Sequence, residues 1–129
     1  MIREARTEDL PLMVVLGEKF YNASHGNSDI PFNRTDTLNT LLAMLESDDG
    51  ILLVYEHDGR VVGMIAGVMF PWYFNVKHRS GQELFWYVAP EFRKSTAGVR
   101  LLKELEKKAK EKGATTFIMI SEYDMYIRS

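Results

Sequence analysis

The chain has 129 residues, a length that suits one domain with a sizeable hydrophobic core. Its apolar content of 46%, charged content of 26% and net charge of −2 give no sign of a surface for nucleic acid or anionic lipid, and the absence of cysteine excludes disulfides, thiolate metal sites and a cysteine nucleophile. Because no apolar run is long enough to cross a membrane and the charged N-terminus lacks the pattern of a signal peptide, we expect a cytoplasmic protein without a membrane partner.

The first third of the sequence predicts a short strand followed by two helices. The strand covers Ile2 to Ala5, and a helix follows over residues 7–21, capped by its threonine. Gly17, inside this helix, costs about 1 kcal/mol relative to alanine, which indicates close packing or a bend. The second helix begins near residues 35–36, has leucines on one face and ends at residues 48–50.

Residues 22–33, between the two helices, form the most loop-like segment of the chain, rich in Asn, Ser and Gly. The segment includes His25 and the apolar pair Ile30 and Phe32. The simpler interpretation is a surface connection held in place by the two apolar side chains. A functional interpretation depends on the family resemblance described below.

The middle of the chain predicts a β-hairpin. Strands at residues 51–55 and 61–70 are joined through Asp58-Gly59, and Asp-Gly between apolar runs is a strong hairpin signal. Gly63 and Gly67, inside the second strand, predict bulges or close approach of another backbone.

An aromatic segment follows the hairpin. Pro71 is expected to end the second strand, so that Trp72 to Phe74 lie in a loop. These aromatic side chains either cap the edge of the core or line a substrate pocket. The basic residues at 77–79 would be compatible with an acidic acceptor substrate.

The stretch from Gln82 to Leu102 predicts a buried strand, a turn and a small-residue loop that opens a helix. Leu84 to Val88 is apolar, aromatic and β-branched, as in a strand covered on both faces. Small side chains at residues 95–98 let a ligand approach the backbone closely. Backbone N–H groups and the positive end of the helix dipole therefore meet at one point, which suits a phosphate. An ordinary strand–turn–helix with tight packing explains the same pattern.

The last predicted elements complete an α/β fold. Gly113 ends the helix, and residues 115–120 form a β-branched strand, so strand–helix–strand implies a right-handed parallel crossover. This crossover places the N-terminus of the helix beside the carboxyl end of the earlier strand, where ligands bind in such sheets. The three histidines are scattered without acidic partners at ligand spacing, so no metal site is expected.

The segment from Val88 to Leu102, VAPEFRKSTAGVRLL, resembles the acyl-CoA-binding motif of the GNAT N-acetyltransferases. Arg93, Thr96 and Gly98 stand at the three signature positions of that motif. Thr96 replaces the usual glycine and adds bulk near the pyrophosphate, as does Lys94. The resemblance implies a GNAT-type α/β fold, with a mixed central sheet flanked by helices in a single domain over residues 1–129. It also implies an acetyl-CoA-dependent N-acetyltransferase whose acceptor is a primary amine of a small molecule or peptide.

The same resemblance assigns roles to individual residues. The main chain of the strand would hold the pantetheine arm and the loop N–H groups the pyrophosphate. Glu83 is the candidate general base. The alternative is that Glu83 is a carboxylate at the edge of the strand with no chemical role. Tyr126 is the candidate general acid, with Tyr123 as its competitor. The expected cofactor-binding residues are Val88, Ala89, Arg93, Lys94, Ser95, Thr96, Ala97, Gly98 and Val99.

The resemblance also covers the two ends of the acceptor site. In the family the loop between the first two helices commonly walls this site, which is the functional interpretation of residues 22–33. The sequence stops just before the Gly-Phe that often follows the tyrosine, so the terminal β-hairpin is expected to be absent. A strand at residues 115–120 with an uncovered edge would favour pairing with a second copy, and we therefore expect a homodimer.

Two other interpretations remain open at the level of sequence. In the first, the chain is a binding or interaction domain that has kept the fold but has lost catalytic turnover. In the second, it is an unrelated α/β domain whose loop resembles the motif by chance. Binding of acetyl-CoA and release of free thiol separate the three.

Overall fold

The structure is a computed structural model that describes residues 1–26 and 28–119. It contains a five-stranded sheet, three α-helices and two short 3₁₀ turns. Tyr123 and Tyr126 lie outside the described residues. The strands are β1 (Ile2–Glu4), β2 (Gly50–His57), β3 (Arg60–Trp72), β4 (Asn75–Val88) and β5 (Ala114–Ile118), and the helices are α1 (Leu10–His25), α2 (Arg34–Glu46) and α3 (Ala97–Glu111).

The sheet is mixed, as expected. Its strands lie in sequence order; β1 to β4 pair antiparallel and β5 pairs parallel to β4. The predicted hairpin joins β2 to β3, and its central residues, Asp58 and Gly59, both have positive φ (50° and 77°), as a tight hairpin turn requires. Gly113, at φ 99°, ends α3 before the parallel crossover to β5.

Two predicted helix limits were wrong. The first helix continues to His25 instead of stopping at Tyr21, because the Tyr21 and His25 rings pack four residues apart with centroids 5.3 Å apart. The second helix begins at Arg34, one to two residues before the predicted start, because the side chain of Asn33 caps it by accepting a hydrogen bond from the N–H of Asp36 at 2.9 Å.

The prediction that Pro71 ends a strand was also wrong. The strand β3 runs through Pro71 to Trp72 and returns as β4 from Asn75, after a two-residue turn. The pairing of β3 with β2 stops at Val68, so Pro71 lies where β3 has a neighbour on one side only and at a shift of register. A proline costs no ladder hydrogen bond on such an edge. The side chains at the tip of the resulting ribbon, Tyr73 and Phe74, are 70% and 84% exposed.

Helix α3 lies directly on the sheet over three glycines. A Cβ added to Gly67 would stand 2.7 Å from Leu105 Cδ1, one added to Gly81 would stand 2.9 Å from Ala109 Cβ, and one added to Gly63 would stand 3.2 Å from Leu101 Cδ1. The sequence predicted bulges or close approach of another backbone at Gly63 and Gly67: Gly67 lies at a bulge, and what α3 brings close to both glycines is leucine side chains. On the helix face that makes these contacts, Leu101, Leu102, Leu105 and Ala109 are buried.

The sheet separates two hydrophobic clusters. One packs α3 against Ile65, Trp86 and Val88, and the other packs α1 and α2 against Met64, Ala66 and Tyr87. The strand from Leu84 to Val88 is thus covered on both faces, as predicted. Over residues 1–26 and 28–119, no helix is both long and apolar enough to cross a membrane, and no cluster of three His, Cys, Asp or Glu side chains could hold a metal ion.

Candidate active site

Within the described residues, the fourth strand, β4, is paired with its parallel neighbour, β5, over only the first part of its length. Its pairing with β5 ends at Gln82, opposite Ile118, so within the described residues β4 from Glu83 to Val88 has one edge without a strand partner. A bulge begins at the same place. Glu83 lies opposite Gly67 and Phe85 opposite Ala66, which leaves Leu84 without a partner on β3. The bulge and the end of the described β4–β5 pairing thus coincide, and we call the space beside the unpaired edge of the described β4 the gap.

The main chain of Val88 faces this gap. The N–H of Ala89 donates to the carbonyl O of Val62 at 2.8 Å, on the side of β3. Because successive residues of a strand point their backbone groups to opposite sides, the N–H and C=O of Val88 point toward the free edge. The carbonyl O of Val88 accepts a hydrogen bond from Arg93 Nε at 3.0 Å. The N–H of Ala89 is thus committed to the sheet, while the N–H of Val88 faces the gap.

The loop after β4 uses some of its amides internally and leaves others available. Those of Arg93 and Ser95 donate to the carbonyl oxygens of Pro90 (3.3 Å) and Phe92 (3.0 Å), and that of Ala97 donates to Ser95 Oγ (3.2 Å). Within the described residues, four other amides have no internal acceptor. They belong to Lys94, Thr96, Gly98 and Val99, and the last two lie in the first turn of α3, where the helix dipole is positive.

The loop therefore offers a subset of the amides that the sequence suggested. Ser95 has a structural role, since its hydroxyl donates to the carbonyl O of Phe92 and accepts from the N–H of Ala97. Thr96 has φ −81° and ψ 2°, a conformation open to any residue, so the loop does not need the glycine usual at this position. At Gly98 an added Cβ would make ordinary contact with Trp86 at 3.5 Å.

Arg93 is turned back onto β4 as well as toward the loop. Besides its bond to Val88, its guanidinium carbon lies 5.1 Å from the centroid of the Tyr87 ring. Its Nη1 and Nη2 atoms donate to no acceptor in the part of the chain that the structure describes, so they remain able to meet an anion.

Glu83 lies at the apex of the gap. Its side chain is fully buried. Its partner across the ladder, Gly67, faces Leu105 of α3, and residues directly opposite in an antiparallel pair share a face, so Glu83 lies on the α3 face of the sheet. It is the first residue beyond the last β4–β5 pair.

A cavity of about 410 Å³ lies on that opposite face, between α1, α2 and the segment joining them. Phe85 of β4 contributes to its wall, so the cavity meets β4 inside the stretch that has left β5. Its lining is largely apolar and aromatic, with His25 and Asp36 among the polar members. The residues that line it are Met13, Gly17, Phe20, Tyr21, His25, Pro31, Phe32, Asn33, Asp36, Thr37, Thr40, Leu41 and Phe85.

The hydrogen bonds around His25 fix its neutral tautomer. Ser24 Oγ donates to the carbonyl O of Phe20 at 2.7 Å, so its contact with His25 Nδ1, also 2.7 Å, has to be accepted from an Nδ1–H. The Nε2 atom of neutral His25 then carries a lone pair. The sequence prediction placed His25 in a loop. Its spacing of four residues from Tyr21, which extends α1 by one more turn, is the sequence signal that could have placed it on the helix.

The family model for the acetyltransferase (GNAT) family matches residues 17–125. No curated protein sequence matches the chain. Three similar solved structures illustrate the fold. An acetyltransferase from Clostridium acetobutylicum with acetyl-CoA has a TM-score of 0.81 at 16% identity, covering 95% of this chain and 81% of that one. A GNAT acetyltransferase from Staphylococcus aureus has a TM-score of 0.73 at 21% identity, covering 96% and 87%. An aminoglycoside acetyltransferase from an uncultured soil sample, in complex with sisomicin, has a TM-score of 0.72 at 16% identity, covering 99% and 82%.

Proposed function

The chain belongs to the acetyltransferase (GNAT) family, which uses acetyl-CoA as its cosubstrate, and on that premise we propose that it transfers an acetyl group to the primary amine of a small molecule or peptide. The observation that carries the proposal is the juxtaposition of a free strand edge with the amides that open α3. A pantetheine arm needs an edge of backbone to pair with, and a pyrophosphate needs several N–H donors at a helix N-terminus. Both lie at the carboxyl end of β4.

The residues present fit acetyl-CoA in two places. The amides of Lys94, Thr96, Gly98 and Val99 would hold the pyrophosphate, with Arg93 Nη atoms and Lys94 Nζ adding positive charge. The N–H of Val88 would pair with the pantetheine or polarise the thioester carbonyl from the free edge. Ala89, Ser95 and Ala97 would act by shaping the loop, because their N–H groups are used within the protein or the sheet.

In the proposed reaction the neutral amine forms a C–N bond to the acetyl carbon and the C–S bond of the thioester breaks. The proton released by the amine goes to a base, and the thiolate takes up a proton. Glu83 is the base that the family resemblance suggests, acting through a water in the gap at whose apex it lies. His25 is a second candidate, because it lines the cavity with a free Nε2 lone pair. Tyr126 is the proposed acid, with Tyr123 as its competitor.

Calorimetry with acetyl-CoA and CoA tests the cofactor site, and thiol release over a panel of amines tests turnover. We expect both coenzymes to bind and at least one amine to be acetylated. Tight binding with no turnover on any amine would instead support an acyl-CoA-binding domain that shares the fold. Failure to bind either coenzyme would contradict the whole proposal.

We also propose that the protein forms a homodimer. Of the described strands, β5 pairs only with β4, and Thr115 and Thr116 on it are exposed. An unprotected strand edge favours pairing with the same edge of another copy. Size-exclusion chromatography with light scattering should give twice the mass of one chain, and a clean monomer at high concentration would remove this part of the proposal.

A further inference from the structure

We infer that the acceptor is an arylalkyl monoamine, a primary amine that carries one positive charge on a compact aromatic body. This inference rests on the proposed function, since it names the acceptor class for the cavity between α1 and α2. The site lies against β4 where acetyl-CoA is proposed to reach, because Phe85 belongs both to the cavity wall and to the free stretch of β4.

The wall of the cavity is a continuous run of aromatic rings. Phe85 contacts Phe20 with centroids 6.2 Å apart, and Phe20 contacts His25 at 6.1 Å. From His25 the run continues to Tyr21 at 5.3 Å and on to Phe32 at 5.7 Å, in an edge-on contact. Tilted and edge-on rings at these distances form a stable apolar surface for another aromatic ring, and their faces attract an ammonium group.

The charge of the lining suits one ammonium group and no more. Asp36 is the one carboxylate among the described residues that line the cavity, and neither Lys nor Arg occurs in that lining. The nearby Glu18 is held by Arg34, with Nη2 and Oε1 2.8 Å apart. A polycation such as an aminoglycoside would bring several charges and hydroxyls against phenyl rings that cannot hydrogen-bond to them, at a large desolvation cost.

Gly17 gives an independent sign that the cavity is kept open. A Cβ at this position would meet Met64, Phe32 and Thr37 at 3.8–3.9 Å, which is ordinary contact, so close packing does not require glycine. Glycine inside a helix is nevertheless unfavourable relative to alanine. The residue lines the cavity, and any side chain there would occupy the space of a ligand. The volume of about 410 Å³ is at the lower end of small-molecule sites, which favours a compact acceptor.

The test measures amine binding separately from turnover. The probes are 2-phenylethylamine, 2-phenylethanol, spermidine, kanamycin and a dipeptide amide with N-terminal Phe, titrated into the protein with and without saturating CoA. We expect 2-phenylethylamine to bind at least about 10-fold more tightly than each of the others. Tighter binding of spermidine or kanamycin would overturn the inference, and so would tighter binding of the dipeptide amide, which would indicate a peptide acceptor.

Variants locate the binding in the cavity. Gly17→Leu fills it, and Ala23→Leu adds the same side chain to an exposed position of α1 outside the lining. Thr40→Leu and Asn39→Leu form the same kind of pair on exposed positions of α2, where a folding defect is not expected. We expect Gly17→Leu and Thr40→Leu to weaken binding of 2-phenylethylamine by about 10-fold or more, and the two controls to change it by less than about twofold. Equal effects within both pairs would overturn the inference.

The two levels of proposal fail differently. If acetyl-CoA binds and a polyamine is acetylated in preference to 2-phenylethylamine, the acceptor class is wrong while the proposed function stands. If 2-phenylethylamine binds in the cavity but no coenzyme binds, the proposed transfer is wrong while the amine site stands.

Discussion

Arg93 Nε donates to the carbonyl O of Val88 at 3.0 Å, which ties the loop after β4 to the end of that strand. Val88 is a buried residue and this bond is partly buried, so water would replace the lost donor only in part. The guanidinium of the same side chain also lies over the Tyr87 ring, 5.1 Å from its centroid. Arg93 thus fixes the strand end that would receive the thioester relative to the amides that would receive the pyrophosphate.

Arg93→Ala should lower both stability and affinity for acetyl-CoA. Loss of this partly buried, charge-assisted hydrogen bond to the Val88 carbonyl should lower the free energy of unfolding by about 1–3 kcal/mol. The lost charge and the misplaced strand end should weaken binding about 10-fold or more. Thermal unfolding and calorimetry measure the two effects. Lys94→Ala is the stability control, because this exposed neighbour has no side-chain partner in the described residues and should change stability by less than about 0.5 kcal/mol. Equal stability losses in both variants would contradict the role of the Val88 bond.

Gly98→Glu should abolish binding of acetyl-CoA. The new carboxylate would stand in the first turn of α3 beside a pyrophosphate, where a like charge within about 8 Å costs about 2 kcal/mol or more. Gly98→Gln adds the same bulk without charge, and Gly98→Ala adds a methyl group at ordinary contact with Trp86. Calorimetry should rank the affinities Ala, Gln, Glu, with Glu about 30-fold below Gln at low salt. If Glu and Gln bind equally, the phosphate lies elsewhere.

Substitution of the two candidate bases separates their roles. A base acts in its unprotonated form, so the rate of acetyl transfer rises with pH through the pKa of that base. We expect Glu83→Gln to lower kcat about 100-fold, with little change in the KM for acetyl-CoA or for the amine. His25→Asn should mainly raise the KM for the amine, because His25 is part of the aromatic wall. The reverse pattern in steady-state pH profiles would transfer the role of base to His25.

The Arg3–Asp9 pair predicts acid sensitivity of the fold. Arg3 Nη1 and Nη2 lie 2.7 Å and 3.0 Å from the two oxygens of Asp9, and Glu56 Oε1 lies 2.9 Å from Nη2. The hydrogen bonds from Arg3 hold the pKa of Asp9 below its usual range, against its burial, and the N–H of Arg6 adds to the effect. A lowered pKa stabilises the fold above the unfolded value of about 3.9, and this contribution is lost as pH falls below it.

Denaturant titrations from pH 7 to pH 2 test this expectation. Asp9→Asn should lower the free energy of unfolding by about 2–3 kcal/mol at pH 7, which is less than the largest loss expected for a fully buried pair. It should also reduce the fall in stability between pH 4 and pH 2. Asp49→Asn breaks the pair of Asp49 with Arg79, in which both side chains are more than one-third exposed, and should cost less than about 1 kcal/mol. A pH dependence below pH 4 that is the same in Asp9→Asn and the unchanged protein would contradict the assignment.

Two glycines of opposite kind should respond in opposite directions to alanine. Gly67→Ala places a Cβ 2.7 Å from Leu105 Cδ1 under a buried helix and should destabilise the protein by about 1–3 kcal/mol. Gly17→Ala adds a methyl group at ordinary contact distance and improves helix propensity, so it should stabilise by up to about 1 kcal/mol. Chemical denaturation measures both. Destabilisation by Gly17→Ala would show that the space beside α1 is tighter than its distances indicate.

Local chemistry explains which parts of the fold were predictable. The Asp58-Gly59 turn depends on two residues that tolerate positive φ, and the face of α3 depends on a 3.6-residue period, so both are visible in sequence. The limits of β3 and β4 were not predictable from the sequence. Residues 75–78 are exposed and Pro71 lies nearby, a pattern typical of a loop; only the structure shows that β3 and β4 continue there as a two-stranded ribbon.

The candidate site was predictable only where the motif is local. The loop from Arg93 to Gly98 and its helix follow from consecutive residues. The cavity does not, because Gly17, Phe32 and Phe85 come from three elements that meet only on folding. The bulge at Leu84 also left no signal, since both residues at the irregularity, Leu84 and Phe85, are apolar and the strand shows no alternation to be broken.

That unpaired residue at Leu84 decides which side of the sheet each later side chain serves. Before Leu84, odd-numbered residues such as Gly81 face α3. After it, the odd-numbered Phe85 faces α1, and the even-numbered Trp86 packs under α3. If Leu84 instead paired with Ala66 without a bulge, Phe85 and Trp86 would exchange faces, so that an indole would face the cavity and a phenyl ring would face α3. The bulge therefore decides which of the two aromatic side chains lines the cavity.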